Sequence, residues 1–236
     1  MMFDNYLIEK FKKIKYLVHS LTTKQHIMTT LKDIITEFST GDLILFHGFG
    51  IESEIIEFVD DSPYSHVAMV IKMPGIDKPL LWSSDEITTL NDYLNQGLHA
   101  GVHLMELQKV LDLTASRTNK KGEHYTYSWR KLNYTKGDKF MHTLETFMRS
   151  VDGRAFPTLE DMALHYAEGK MGKRADQKTF FCSQLATNTY IHLDIFPDSL
   201  IDNSVAPGDY GDSNSDKLPW QNNASLAKEV HFTHTV

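Results

Sequence analysis

The sequence predicts an α+β domain built on a mainly antiparallel sheet. Three observations predict it. Short apolar runs bounded by turn residues recur through the first half, at residues 42–46, 66–71, 80–83, 101–107 and 125–130. Helical periodicity dominates the second half, at residues 137–150, 159–169 and 182–193. The runs at 66–71 and 80–83 are separated only by the turn residues 73–79, close enough to pair as a hairpin.

Residues 5–38 read as helical. Leu7, Phe11, Ile14, Val18 and Leu21 recur at steps of four and three, which is one helical stripe. Thr22 with Gln25 has capping-box spacing, and Leu31, Ile34, Ile35 and Phe38 give a second helix its apolar face. Lys10, Lys12, Lys13 and Lys15 crowd the first helix. A membrane-surface helix fits this pattern; a helical hairpin with a solvated lysine face is the preferred reading. The chain therefore divides into a helical appendage, 1–38, and a main domain, 39–236. Residues 39–41 break the pattern and residues 42–46 form a buried strand. Ile51, Ile55, Ile56 and Val59 share a helical face. After the Pro63 turn come the strands at 66–71, 80–83, 101–107 and 125–130, then the three helices. Residues 170–178 are a basic loop, and the Asp-, Asn-, Ser-, Gly- and Pro-rich tail from Pro197 reads mostly as loop.

Composition narrows the function classes. The chain has 236 residues, 41% hydrophobic and 23% charged, which suits one globular domain with a sizeable core. A net charge of −7 argues against general nucleic-acid binding, which needs a basic footprint. A single cysteine excludes an internal disulfide and a multi-cysteine zinc site. The histidines show no metal-ligand spacing, so neither a metal nor a cofactor is expected. No apolar run reaches bilayer-spanning length and the first residues lack a secretory pattern, so a cytoplasmic protein is expected, with export by another route left open.

The chemistry centres on that cysteine. Cys182 opens a helix, whose unpaired N–H groups and partial positive charge favour a thiolate. A lone cysteine can also be a small buried hydrophobe. Far upstream, His66 starts a strand on which Ala68 and Val70 share its face while Val67, Met69 and Ile71 share the other. Both faces are apolar beyond His66, so the strand is expected to be covered on both sides. An imidazole near the thiol would take its proton and form a reactive ion pair. A third polar group usually orients such an imidazole. The next strand offers Ser83 by position and Asp85 by chemistry, the latter near the strand's end. Tyr64 can lend a hydroxyl to an oxyanion beside the N–H of Cys182, or simply pack at the strand's start. The basic loop at 170–178 can attract an anionic substrate group, or be a solvated loop.

Residues 41–44 (Gly-Asp-Leu-Ile), 64–67 (Tyr-Ser-His-Val) and 181–185 (Phe-Cys-Ser-Gln-Leu) together resemble the circularly permuted papain-like cysteine hydrolases of the NlpC superfamily. The YiiX-like proteins and lecithin retinol acyltransferase belong to that branch, in which the histidine precedes the cysteine. The resemblance covers about residues 40–210. It implies a small antiparallel sheet packed on the Cys182 helix, Cys182 as nucleophile, His66 as base, and an acyl substrate that is an amide, ester or thioester in a peptide, a cell-wall fragment or a lipid. The family often carries an acidic residue on the strand after the histidine strand, where Ser83 stands here; this leaves open a Cys–His dyad or a role for Asp85. Two function classes follow: a thiol hydrolase or acyltransferase, and a weakened papain-like scaffold that binds a peptide or lipid. Residues 1–38 offer a membrane or protein contact.

Overall fold

The computed structural model describes residues 29–48, 62–118 and 124–236. The helices expected before residue 29 and the one expected over 51–59 lie outside the described residues.

Among the described residues, nine strands and five α-helices follow one another: β1 (Thr29–Thr30), α1 (Leu31–Ile34), β2 (Leu43–His47), β3 (His66–Ile71), β4 (Leu80–Asp85), β5 (Gly101–Glu106), α2 (Leu107–Ala115), β6 (Thr126–Arg130), β7 (Leu132–Asn133), α3 (Phe140–Val151), α4 (Leu159–Lys170), α5 (Cys182–His192), β8 (Ser225–Leu226) and β9 (Val230–Thr233). The fold is α+β. Seven strands form one sheet in the order β1-β9-β6-β2-β3-β4-β5, and β7 pairs with β8 apart from it. Every pair in the large sheet is antiparallel except β1 with β9. The sheet is thus larger than the small one the resemblance implies.

Alternation along the strands sends side chains into two cores, as expected for strands apolar on both faces. Leu43, Leu45, Val67, Met69 and Trp82 pack with α3 and α5. Ile44, Phe46, Ala68, Val70 and Leu81 pack with α1, α2 and Phe232 of β9. Among the described residues no helix is long and apolar enough to cross a membrane.

Three segments differ from the sequence expectation. Residues 29–38 join the main fold: Thr29–Thr30 pairs with β9, and Leu31, Ile34 and Phe38 are buried in the second core. The helical run there is one turn, started by a Thr30–Asp33 capping box. The expected strand at 101–107 hands over at Leu107 to α2, whose Leu107, Val110, Leu111 and Thr114 are buried at helical spacing. The tail is tied down by short 3₁₀ turns, and its β9 adds a strand beside β6.

Helix α5 is buried along ten consecutive residues, not on one face. Its polar members are held by specific bonds, as burial demands. Ser183 Oγ donates to the Val205 carbonyl at 2.7 Å, Thr187 Oγ1 and Tyr210 Oη lie 2.7 Å apart, and Trp82 Nε1 of β4 donates to Thr189 Oγ1 at 3.2 Å. Tyr190 Oη reaches the Gly41 carbonyl at 2.7 Å. Gly41 has φ +93°, and a Cβ there would stand 2.8 Å from Leu132 Cδ2, so the turn before β2 needs glycine. The chain leading into α5 is fixed as well. Phe180 N–H donates to the Ala155 carbonyl at 3.1 Å, and Ser84 Oγ of β4 donates to the Phe180 carbonyl at 2.6 Å. The start of α5 is therefore sewn to the same strand that carries Ser83 and Asp85.

Candidate active site

Cys182 and His66 line one cleft of about 240 Å³, together with Ser65, Asp85 and the apolar side chains Phe46 and Met162. The cysteine comes from the N-terminus of α5 and the histidine from the first position of β3. The backbone N–H groups of Val67, Ser183 and Cys182 itself are aimed at the sulfur. Val67 follows His66 directly, so the sulfur sits against the strand end that bears the imidazole.

The thiol is only 4% exposed. Burial pushes its pKa up to about 12, with the Asp85 charge adding to the rise and the three N–H groups only partly offsetting it. His66 is partly open to the cleft, its side chain 23% exposed. Burial pushes its pKa below the ordinary value, Asp85 pulls the other way, and His103 pushes it further down. Both shifts favour a neutral thiol beside a neutral imidazole over the reactive ion pair expected from the sequence, because desolvation disfavours both charges.

Asp85 is the last residue of β4, within the strand. The β3–β4 register pairs Met69 with Trp82 and Ile71 with Leu80. Beyond that ladder, alternation along each strand puts His66 on the face of Ala68 and Asp85 on the face of Ser83. His66 Nε2 lies 2.9 Å from Ser83 Oγ and 3.9 Å from Asp85 Oδ2. Both residues named from the sequence thus converge on the same nitrogen, the serine in direct hydrogen bond and the carboxylate one step behind. Phe46 packs its ring edge-to-face with the imidazole at 5.1 Å.

His103, on β5, went unremarked in the sequence. It pairs with Ser83 across the β4–β5 ladder and is buried, and its Nε2 lies 3.0 Å from Asp85 Oδ1. A histidine on an otherwise apolar strand next to the one bearing Ser83 and Asp85 was the available signal. Burial alone would lower its pKa, but the Asp85 carboxylate outweighs burial and holds it above the ordinary value. Asp85 in turn is raised by burial and lowered by more through His103, His66 and the Ile87 N–H, ending below its ordinary value.

Tyr64 is placed elsewhere. Its hydroxyl donates to Glu229 and meets Ser128 Oγ at 2.9 Å, and it is not among the residues lining the cleft, so an oxyanion role does not fit its position. The basic loop is also committed: Lys173 pairs with Glu168, Lys178 pairs with Asp176, and Arg174 donates to the Asp198 and Leu200 carbonyls. Asp42, part of the Gly-Asp element, is a buried anchor. It accepts from the Leu132 N–H at 3.0 Å, Trp129 Nε1 at 2.9 Å and the Ser39 N–H at 2.9 Å.

Sequence spacing also hid one metal-capable group. Asp92, His99 and Asp152 bring one ligand atom each within 4.8 Å of one another. Asp92 is already held by the Leu94 and Leu104 N–H groups and lies 3.2 Å from His99 Nε2. Burial and the neighbouring Asp92 push Asp152 up to about 6, so a shared proton can neutralise the carboxylate pair.

No protein-family model matches the chain. No curated protein matches it. Among solved structures, the metalloprotein YiiX from Escherichia coli O157:H7 matches with a TM-score of 0.44 and 16% identity, over 66% of this chain and 66% of that one.

Proposed function

We propose that this chain is a cysteine hydrolase or acyltransferase that opens an amide, ester or thioester bond through an acyl-enzyme on Cys182, with His66 as general base. The observation that carries the reading is that Cys182 and His66, far apart in sequence, line one cleft, with the sulfur at the N-terminus of α5.

Both groups start neutral, so the attack is a general-base step. His66 takes the thiol proton as sulfur bonds to the substrate carbonyl carbon, and the carbonyl π electrons move onto oxygen. The oxyanion meets the N–H groups at the start of α5, where the helix dipole is positive. Imidazolium 66 donates through Nε2 to Ser83 and is supported by Asp85 at 3.9 Å. On collapse, the carbonyl re-forms, the bond to the leaving group breaks, and His66 protonates that group. Water or another acceptor, deprotonated by His66, then attacks the thioester and frees Cys182. The cleft sets apolar side chains (Phe46, Ile87, Phe156, Met162) against polar and charged ones (Ser65, Glu86, Arg117), which suits a substrate with both hydrocarbon and polar parts. Within this reading the domain is a permuted papain-like scaffold of the NlpC superfamily. The histidine-before-cysteine order and the packing of α5 on the sheet support that assignment.

Intact-protein mass spectrometry after incubation with an activated thioester tests the reading. An acyl adduct on Cys182, absent in Cys182→Ser and strongly reduced in His66→Ala, supports it. A thiol that forms no adduct, and whose iodoacetamide labelling is unchanged by His66→Ala, favours the binding-module alternative.

A further inference from the structure

We propose that His103 is a positioning residue that holds one oxygen of Asp85 and so governs how much of that carboxylate's charge reaches His66. The inference rests on the reading of His66 as the base.

Two imidazoles, on the strands either side of β4, share the one carboxylate of Asp85. Asp85 Oδ1 lies 3.0 Å from His103 Nε2, and Asp85 Oδ2 lies 3.9 Å from His66 Nε2. His103 Nδ1 lies 3.3 Å from the His99 carbonyl oxygen. Both nitrogens of His103 therefore face acceptors, and the imidazolium is the form in which both donate. The contact with Asp85 is off the N–H axis, so its strength comes from charge more than from hydrogen-bond alignment. At 1% exposure, an imidazolium at 103 is sustained chiefly by that carboxylate, with the His99 carbonyl and Asp92 adding to it.

The surroundings divide the two rings. Facing His103 are Asp85 from β4, and Asp92 and His99 from the segment between β4 and β5. Facing His66 are Ser83 and Asp85 from β4 and His103 from β5, while Cys182, Glu86 and Arg117 share its cleft. The rings are driven in opposite directions, His103 above the ordinary histidine value and His66 below it. One carboxylate serving two imidazoles gives this outcome: the buried ring keeps the proton, and the ring at the cleft is left free to accept one. When His103 loses its proton, the Asp85 charge is released to His66 and supports the imidazolium that forms during attack.

Histidine C–H NMR titration of the full chain tests this without reference to turnover, with His66 assigned by His66→Gln. In the wild-type protein, His103 titrates at higher pH than His66, and the His66 signal carries a second inflection where His103 titrates. In His103→Gln, that inflection vanishes and the His66 pKa moves up by about one pH unit, the effect of removing one nearby like charge. The pH midpoint of Cys182 alkylation follows it. A His66 signal with a single step in the wild-type protein, or an unchanged His66 pKa in His103→Gln, overturns the proposal. Should the variant fail to fold, the wild-type titration alone decides. A His66 pKa that moves while Cys182 labelling ignores His66 keeps the role of His103 and rejects the hydrolase reading.

Discussion

Asp42 and Asp85 are carboxylates at opposite ends of the same sheet, and they are wired differently. Asp42 precedes β2 and meets three N–H donors from fixed groups. Asp85 ends β4 and meets one backbone donor, the Ile87 N–H at 2.9 Å, with two imidazoles taking the rest. Burial leaves the Asp42 pKa above its ordinary value, whereas the imidazoles draw Asp85 below it. A carboxylate saturated by rigid donors fastens the fold. One shared between titratable rings exchanges charge with them, and it is the one beside the cleft.

The largest expected effect breaks the anchor. Asp42→Ala strands three donors and is expected to lower stability by about 3 kcal/mol or more in urea unfolding, with the pH dependence of Cys182 labelling unchanged in the folded fraction. Asp85→Asn is expected to do the reverse. Acylation of Cys182 should fall about a hundredfold, less than the roughly ten-thousandfold loss when a carboxylate bonded directly to a catalytic histidine is neutralised, because Asp85 stands 3.9 Å from His66 Nε2; the stability loss should be smaller. The acid limbs sharpen the contrast. Asp85, lowered in the fold, contributes stability present above its unfolded value and lost as pH falls through its folded one. Asp42, raised in the fold, has the opposite sign. Asp85→Asn should therefore flatten the acid side of the stability–pH curve, and Asp42→Asn should not.

Ser83→Ala comes next. It removes the 2.9 Å partner of His66 Nε2 but leaves Asp85, so a loss of about tenfold in acylation rate is expected, consistent with one hydrogen bond to a charged group. A loss as large as that of Asp85→Asn would transfer the supporting role to the serine. The smallest effect lies farther along the same edge. Asp152, pushed up to about 6 beside Asp92, is ionised against a like charge at pH 7 and protonated at pH 5. Asp152→Asn should raise the Tm by a few degrees at pH 7 and by less at pH 5.

The legible parts were those encoded locally. The strands at 66–71 and 80–83 and the helix at Cys182 declare themselves by alternation, turns and a cap-like break, although the second strand runs on to Asp85, and they bring Cys182, His66 and Asp85 to one cleft with Ser83 bonded to His66 behind it. The illegible parts are non-local. β9 pairs with β6 across about a hundred residues of chain, and its sequence is too polar to announce a strand. The role of His103 depends on the β4–β5 register, which sets it opposite Ser83. Helix α5 hides its burial behind Ser183, Gln184, Thr187 and Asn188, whose partners arrive from the 3₁₀ turns and loops that follow. The α2 pattern at Leu107, Val110, Leu111 and Thr114 is present in the sequence, but the expected strand at 101–107 absorbs its first residue and leaves the rest unassigned.

The covered, protonated state of Cys182 also bears on its durability. Peroxide reacts with thiolates that it can reach, and here the sulfur is neutral at rest and almost wholly shielded. With no second cysteine in the chain, no internal disulfide can trap it. Cys182 would thus resist oxidation in air for as long as it stays covered.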